Sequence, residues 1–171
     1  MRKKVLQEDN QRAPHIDQDK EFMRIAIELA STSAEQGGGP FGAVIVKDGQ
    51  IVAKASNSVT IDKDATAHAE VNAIRMACKT LDTFDLSGCT LYTSCEPCPM
   101  CLGAIYWARI DRIIYGNTRK DAAEIGFADD FIYEELMTSL PERKIPIVQL
   151  LPEEAKESFR RWTENSNKTA Y

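Results

Sequence analysis

"CTLYTSCEPCPMCLGAIYWARIDRIIYGN" occupies residues 89–117 and reads as strand, helix, strand. "CTLYTSC" (89–95) is a β-branched and aromatic run that leads straight into three cysteines at three-residue spacing, Cys95, Cys98 and Cys101. "PCPMCLGAIYWAR" (97–109) opens on two prolines, which a helix accepts in its first turn because the N–H groups there lack an intrahelical partner. "RIIYGN" (112–117) is the next strand.

Upstream, "DKEFMRIAIELASTSAEQ" (19–36) sets Phe22, Ile25, Ala26 and Leu29 at helical spacing, and Gly37-Gly38-Gly39-Pro40 ends it. Two β-branched runs around Asp48-Gly49 predict a hairpin with a two-residue turn. A second helix is expected from about Thr66 through "AHAEVNAIRMACKTL". Downstream, "DDFIYEELMTSL" (129–140) reads as helix, "IPIVQLL" (145–151) as a fifth strand and "PEEAKESFRRWTENS" (152–166) as a last helix. The order predicts an α/β fold, a three-layer α/β/α arrangement with a mixed five-stranded sheet. The 27 residues between the fourth and fifth strands (118–144) leave room for a helical crossover, so the last two strands are expected to be parallel. Residues 1–18 are polar and aperiodic and are expected to be a mobile tail, with one domain over 19–171.

Composition narrows the function. The 171 residues are 43% hydrophobic and 27% charged with a net charge of −5, as in an ordinary soluble domain. A nucleic-acid partner is not expected, because the one dense basic run is Arg2-Lys3-Lys4 at the terminus. "MRKKVLQEDNQR" has no apolar segment behind its basic residues, and no run approaches the length of a membrane span. Five cysteines, three within seven positions, fit a metal or catalytic site in the reducing cytoplasm better than a disulfide framework.

The only histidine beyond residue 18 is His68, at the start of the second helix, with Glu70 two positions on. Cys98 and Cys101 share one face of the first turn of the third helix, where the partial positive charge of the N-terminus favours thiolate. His68, Cys98 and Cys101 offer three ligands to zinc and leave a position for water, the pattern of catalytic sites. Glu70 is then the proton shuttle. H-x-E with P-C-x-x-C is the signature of zinc-dependent nucleobase deaminases.

Other readings stand beside this one. An iron–sulfur cluster would use Cys95, Cys98 and Cys101 with Cys78 or Cys89. A Cys95/Cys98 redox pair is a second, and a closed zinc site with Cys95 as fourth ligand is a third. The first of these leaves His68 and Glu70 without a task. A non-catalytic zinc or iron–sulfur protein therefore remains the alternative of a different class.

"TAHAE" with "LYTSCEPCPMCLGAIYWAR" resembles the cytidine deaminase superfamily and, within it, the bacterial guanine deaminases. The resemblance extends from about Asp19 to Tyr171 through "GGPFGAVIVKDG", "DAAEIGF" and "FIYEEL". It implies hydrolytic deamination of guanine to xanthine and ammonia with one Zn2+ per subunit. Guanosine, cytosine or tRNA adenosine deamination is the nearest rival. Asn57 matches a base-recognising asparagine, Phe41 an aromatic near the base, and Tyr171 a terminal aromatic that closes over it. Asp129 matches a second acid, although Ala128 stands where those proteins often carry Asp and Asp130 follows directly. The resemblance further implies a homodimer acting on a small purine base, with the segment after about residue 141 exchanged between protomers.

Overall fold

A computed structural model describes residues 13–171, so residues 1–12 of the expected tail lie outside the described residues. The chain divides into two compact units, one ending at Asp129 and one spanning Asp130–Tyr171.

In the first unit, helix α1 (Ala13–Glu35) includes residues ahead of the expected Asp19. Residues 13–18 are thus helical. Strands β1 (Gly42–Lys47) and β2 (Gln50–Ser56) form the predicted hairpin, with Lys47 paired to Gln50. Asp48 and Gly49 take φ of 49° and 73°, the left-handed values that a primed two-residue turn requires. Strand β3 (Cys89–Cys95) pairs antiparallel with β1 and parallel with β4 (Arg112–Asn117), giving the order β2-β1-β3-β4.

Successive residues of β1 point to opposite faces, and helices cover both. On one face, Phe22 and Ala26 of α1 pack on Val44, Val46 and Tyr92. On the other, helices α3 (Ala69–Leu81) and α4 (Pro99–Trp107) pack on Ala43, Ile45 and Leu91. The sheet-facing side of α3 is Ala69, Ala73, Ile74 and Ala77, and its three alanines let the backbone and the N-terminus come close to the sheet. The three expected layers are present in this unit. Two short helices were not foreseen: α2 (Val59–Asp62), and α5 (Arg119–Glu124), which starts at a Thr118–Asp121 capping box.

The sheet has four strands, not five. Residues 145–151 form no strand; Pro146 has no N–H for a ladder, and Ile145, Val148 and Leu150 are 76, 83 and 79% exposed. The parallel pair is accordingly β3/β4, and its crossover is α4 rather than the stretch 118–144. A β-branched run signals a strand only where a neighbouring strand accepts it, and that depends on chain topology.

The second unit holds α6 (Asp130–Met137), a 3-10 turn (Leu140–Glu142) and α7 (Pro152–Glu164). None of the residues in these three elements is buried. Among the described residues no helix is long and apolar enough to cross a membrane.

Candidate active site

Two helix N-termini carry the expected ligands. His68 is the N-cap of α3 and Cys98 the N-cap of α4, both with extended backbone, and Cys101 lies in the first turn of α4. Cys98 Sγ and Cys101 Sγ lie 3.6 and 3.5 Å from His68 Nδ1. All three donor atoms fall within 4.8 Å of one another, and this is the metal-ligating group found among the described residues. One nitrogen and two sulfur donors at that spacing suit a single ion with ligand bonds of about 2.0–2.3 Å, as zinc makes.

The loop ahead of His68 is fixed by Asn72, whose amide donates to Ser56 O, Ser58 Oγ and Ala67 O. Ser58 N–H also donates to Ala67 O, closing the loop. Asn72 escaped sequence reading because its partners lie up to 16 positions away.

Glu70, in the first turn of α3, is 5% exposed. Its Oε1 accepts from Thr93 Oγ1 at 3.0 Å and its Oε2 from Cys101 Sγ at 3.4 Å. Burial pushes its pKa up, opposed by its backbone hydrogen bond and by these two donors. Donation from Cys101 holds the Cys98 thiol down to about 4, with His68 assisting, while the same hydrogen bond and burial push Cys101 up. The His68 pKa is raised chiefly by its hydrogen bond with Cys98.

Cys95 stands apart. Its Sγ donates to Thr118 O at 3.7 Å, and burial lifts its pKa to about 11. Cys95 is not among the donor atoms that converge within 4.8 Å of one another. The structure thus groups His68 with two cysteines and leaves Cys95 outside, unlike the iron–sulfur and closed-zinc readings.

Of the substrate-binding candidates, Asn57 is buried. Its Oδ1 accepts from Val59 N–H at 3.2 Å, its backbone N–H donates to Phe41 O, and its O accepts from Ser33 Oγ. A side chain on Gly39 would collide with Asn57 at 2.9 Å, so glycine there gives the amide its place. Phe41 meets Phe127 edge to face, with ring centroids 5.0 Å apart. Phe127 was not singled out from the sequence; only its partner identifies it. Ser94 Oγ accepts from Gly42 N–H and so ties the Phe41 segment to β3. Asp129 is half-buried, and its charge contributes to the raised pKa of Cys95. Asp130 and Tyr171 belong to the second unit, where both are exposed.

Known proteins resemble this chain. The family described as the cytidine and deoxycytidylate deaminase zinc-binding region matches residues 16–117. Guanine deaminase of Bacillus subtilis is 53% identical over 151 residues, 88% of this chain and 97% of its own length. A solved structure of guanine deaminase from Bacillus subtilis has a TM-score of 0.87 at 52% identity, covering 89% of this chain and 98% of that one. The tRNA-specific adenosine deaminase of Aquifex aeolicus is 48% identical over 99 residues, 58% of this chain and 66% of its own length.

Proposed function

Since the chain belongs to the cytidine and deoxycytidylate deaminase family, we propose that it hydrolyses guanine to xanthine and ammonia with the help of zinc. The observation that carries the choice of substrate is extent. The likeness to a guanine deaminase runs over 88% of this chain and 97% of that protein, whereas the likeness to the tRNA-specific adenosine deaminase spans 58% of this chain and 66% of that protein.

His68, Cys98 and Cys101 hold the zinc. When bound, zinc is a Lewis acid that brings the pKa of a water molecule toward about 7. Glu70 takes one proton from the attacking water as its oxygen adds to C2 of guanine, and delivers that proton to N3. It then carries the remaining hydroxyl proton to the 2-amino group, which leaves as ammonia, and C2 becomes the second carbonyl of xanthine. Asp129 is the second acid beside the leaving amine. The Asn57 amide presents both donor and acceptor chemistry to the purine edge, Phe41 flanks the ring, and Tyr171 closes over it.

The acting form is a homodimer in the cytoplasm, with the segment after about residue 141 exchanged between protomers. Support comes from α4, which leaves Tyr106 and Trp107 76 and 69% exposed, and from the second unit, whose helices bury nothing. Five free cysteines suit a reducing compartment. Light scattering giving the mass of a single 19.1 kDa chain would remove the dimer.

The test of function is ammonia release from guanine, guanosine, cytosine, adenine and cytidine, with Glu70→Ala as control. Turnover of guanine alone, abolished in the control with zinc retained, supports the reading. Turnover of a different base overturns the substrate, and turnover by the control overturns the role of Glu70.

A further inference from the structure

The structure assigns Thr93 to the reaction as the positioning residue that anchors one oxygen of the Glu70 carboxylate, an inference that rests on Glu70 being the proton carrier. Thr93 sits in β3 between Ala43 of β1 and Tyr115 of β4, so its backbone is held from both sides. It shares its face of the strand with Leu91, two residues earlier, which packs in the core under α3 and α4. The residue is 1% exposed, and its hydroxyl donates to Glu70 Oε1 at 3.0 Å. A hydroxyl has one proton to give, and a β-branched side chain has few rotamers from which to give it. The direction of the hydrogen bond is therefore built into the central sheet.

The second side-chain donor at Glu70 is Cys101, which reaches Oε2. A cysteine that ligates a metal does so as thiolate and has no proton to donate. Thr93 is thus the side-chain donor at Glu70 that persists when Cys101 serves as a ligand. The two oxygens then differ: Oε1 is anchored on the sheet, and Oε2, beside the ligand cluster, is left to exchange protons. Such division lets one carboxylate serve both halves of the reaction without turning about its Cγ–Cδ bond. The sequence carries a trace of this, a polar residue facing the core in the middle of a buried strand, but its partner lies 23 positions away.

The experiment compares wild type, Thr93→Val and Thr93→Ser. Val keeps the shape and removes the hydroxyl; Ser keeps the hydroxyl and removes the methyl. Guanine turnover, zinc content and crystal structures are read for each. Thr93→Val should lose about 10- to 100-fold in kcat, as substitutions of outer-shell partners do. Its KM and zinc content should stay at the wild-type level, and its Glu70 carboxylate should be rotated or doubly placed. Thr93→Ser should recover most of kcat. Wild-type kcat in Thr93→Val, or equal impairment in Thr93→Ser, would overturn the assignment. So would an unmoved Glu70 carboxylate in the Thr93→Val crystal structure. If Thr93→Val does not fold, Thr93→Ser decides alone, since a tenfold or greater loss there contradicts the role. Wild type inactive on guanine would sink the proposed function, while the pair of crystal structures would still decide about Thr93.

Discussion

Tyr92 donates its phenolic proton to Asp19 Oδ1 at 2.6 Å, joining α1 to the central strand on the face of the sheet opposite Glu70. Arg112 of β4 grips the same carboxylate through both terminal nitrogens, at 3.3 and 2.7 Å. Neighbouring residues of β3 thus serve different ends: Tyr92 fastens the helical layer on one face, and Thr93 meets the Glu70 carboxylate on the other.

Tyr92→Phe should destabilise the fold and spare the chemistry. The hydroxyl is buried with a charged acceptor, and burial together with Asp19 raises its pKa, so it stays a donor at all ordinary pH. Its loss should cost about 1–3 kcal/mol. Each kcal/mol lowers Tm by about 2–4 °C in a chain of this size. Calorimetry of the variant checks the loss, and a kcat/KM for guanine near wild type checks that the two faces are separable.

The four cysteine and histidine positions around the cluster should divide three to one. His68→Ala, Cys98→Ala and Cys101→Ala should each fail to retain stoichiometric zinc after dialysis, because each removes one of three converging donors. Cys95→Ala should keep its zinc, since that thiol faces Thr118 O. Metal analysis of the four purified variants decides; zinc loss in Cys95→Ala as complete as in Cys98→Ala would contradict the division.

Removing the aromatic neighbour of Phe41 should weaken substrate binding before it slows the chemical step. Phe127→Ala deletes an edge-to-face pair worth about 0.5–1.5 kcal/mol and frees the Phe41 ring. KM for guanine should rise by about 2- to 10-fold with kcat little changed. A fall in kcat at constant KM would place Phe127 in another role.

Asp85 supports a pH-dependent contribution far from the ligands. It accepts from Ser87 N–H, from Ser87 Oγ and from Arg109 at 2.7 Å, and these bonds, those of Ser87 first, lower its pKa from 3.8 to about 2. A pKa lowered by folding means that the folded state favours the ionised form. The contribution is therefore full above pH 3.8 and is lost as pH falls toward 2. Asp85→Asn should melt below wild type at neutral pH, and the two melting curves should converge near pH 2. A gap unchanged across that range would show that Asp85 acts through shape rather than charge.

The features readable from the chain alone share one property, that their determinants are adjacent. Asp48-Gly49 specifies its own turn, Gly37 to Pro40 end α1, and Pro99 just inside α4 marks where that helix begins. His-x-Glu and Cys-x-x-Cys are placed by single helical turns, so the three converging donors and the carboxylate of Glu70 beside them were legible in the sequence. "IPIVQLL" misled for the converse reason, since its β-branched residues meet the local requirement for a strand and no neighbour pairs with them.

Residue order alone therefore determined the two helix starts, the three donors, Glu70 and the hairpin, through capping, turn and spacing rules that act within a few residues. Tertiary structure decided what crosses between elements. The parallel partner of β3 is β4, Cys95 turns to Thr118 and away from the cluster, Phe127 supports Phe41, and Thr93 reaches Glu70. Each of these depends on which strands lie side by side and which face each side chain takes, and a sheet settles both only when the whole core closes.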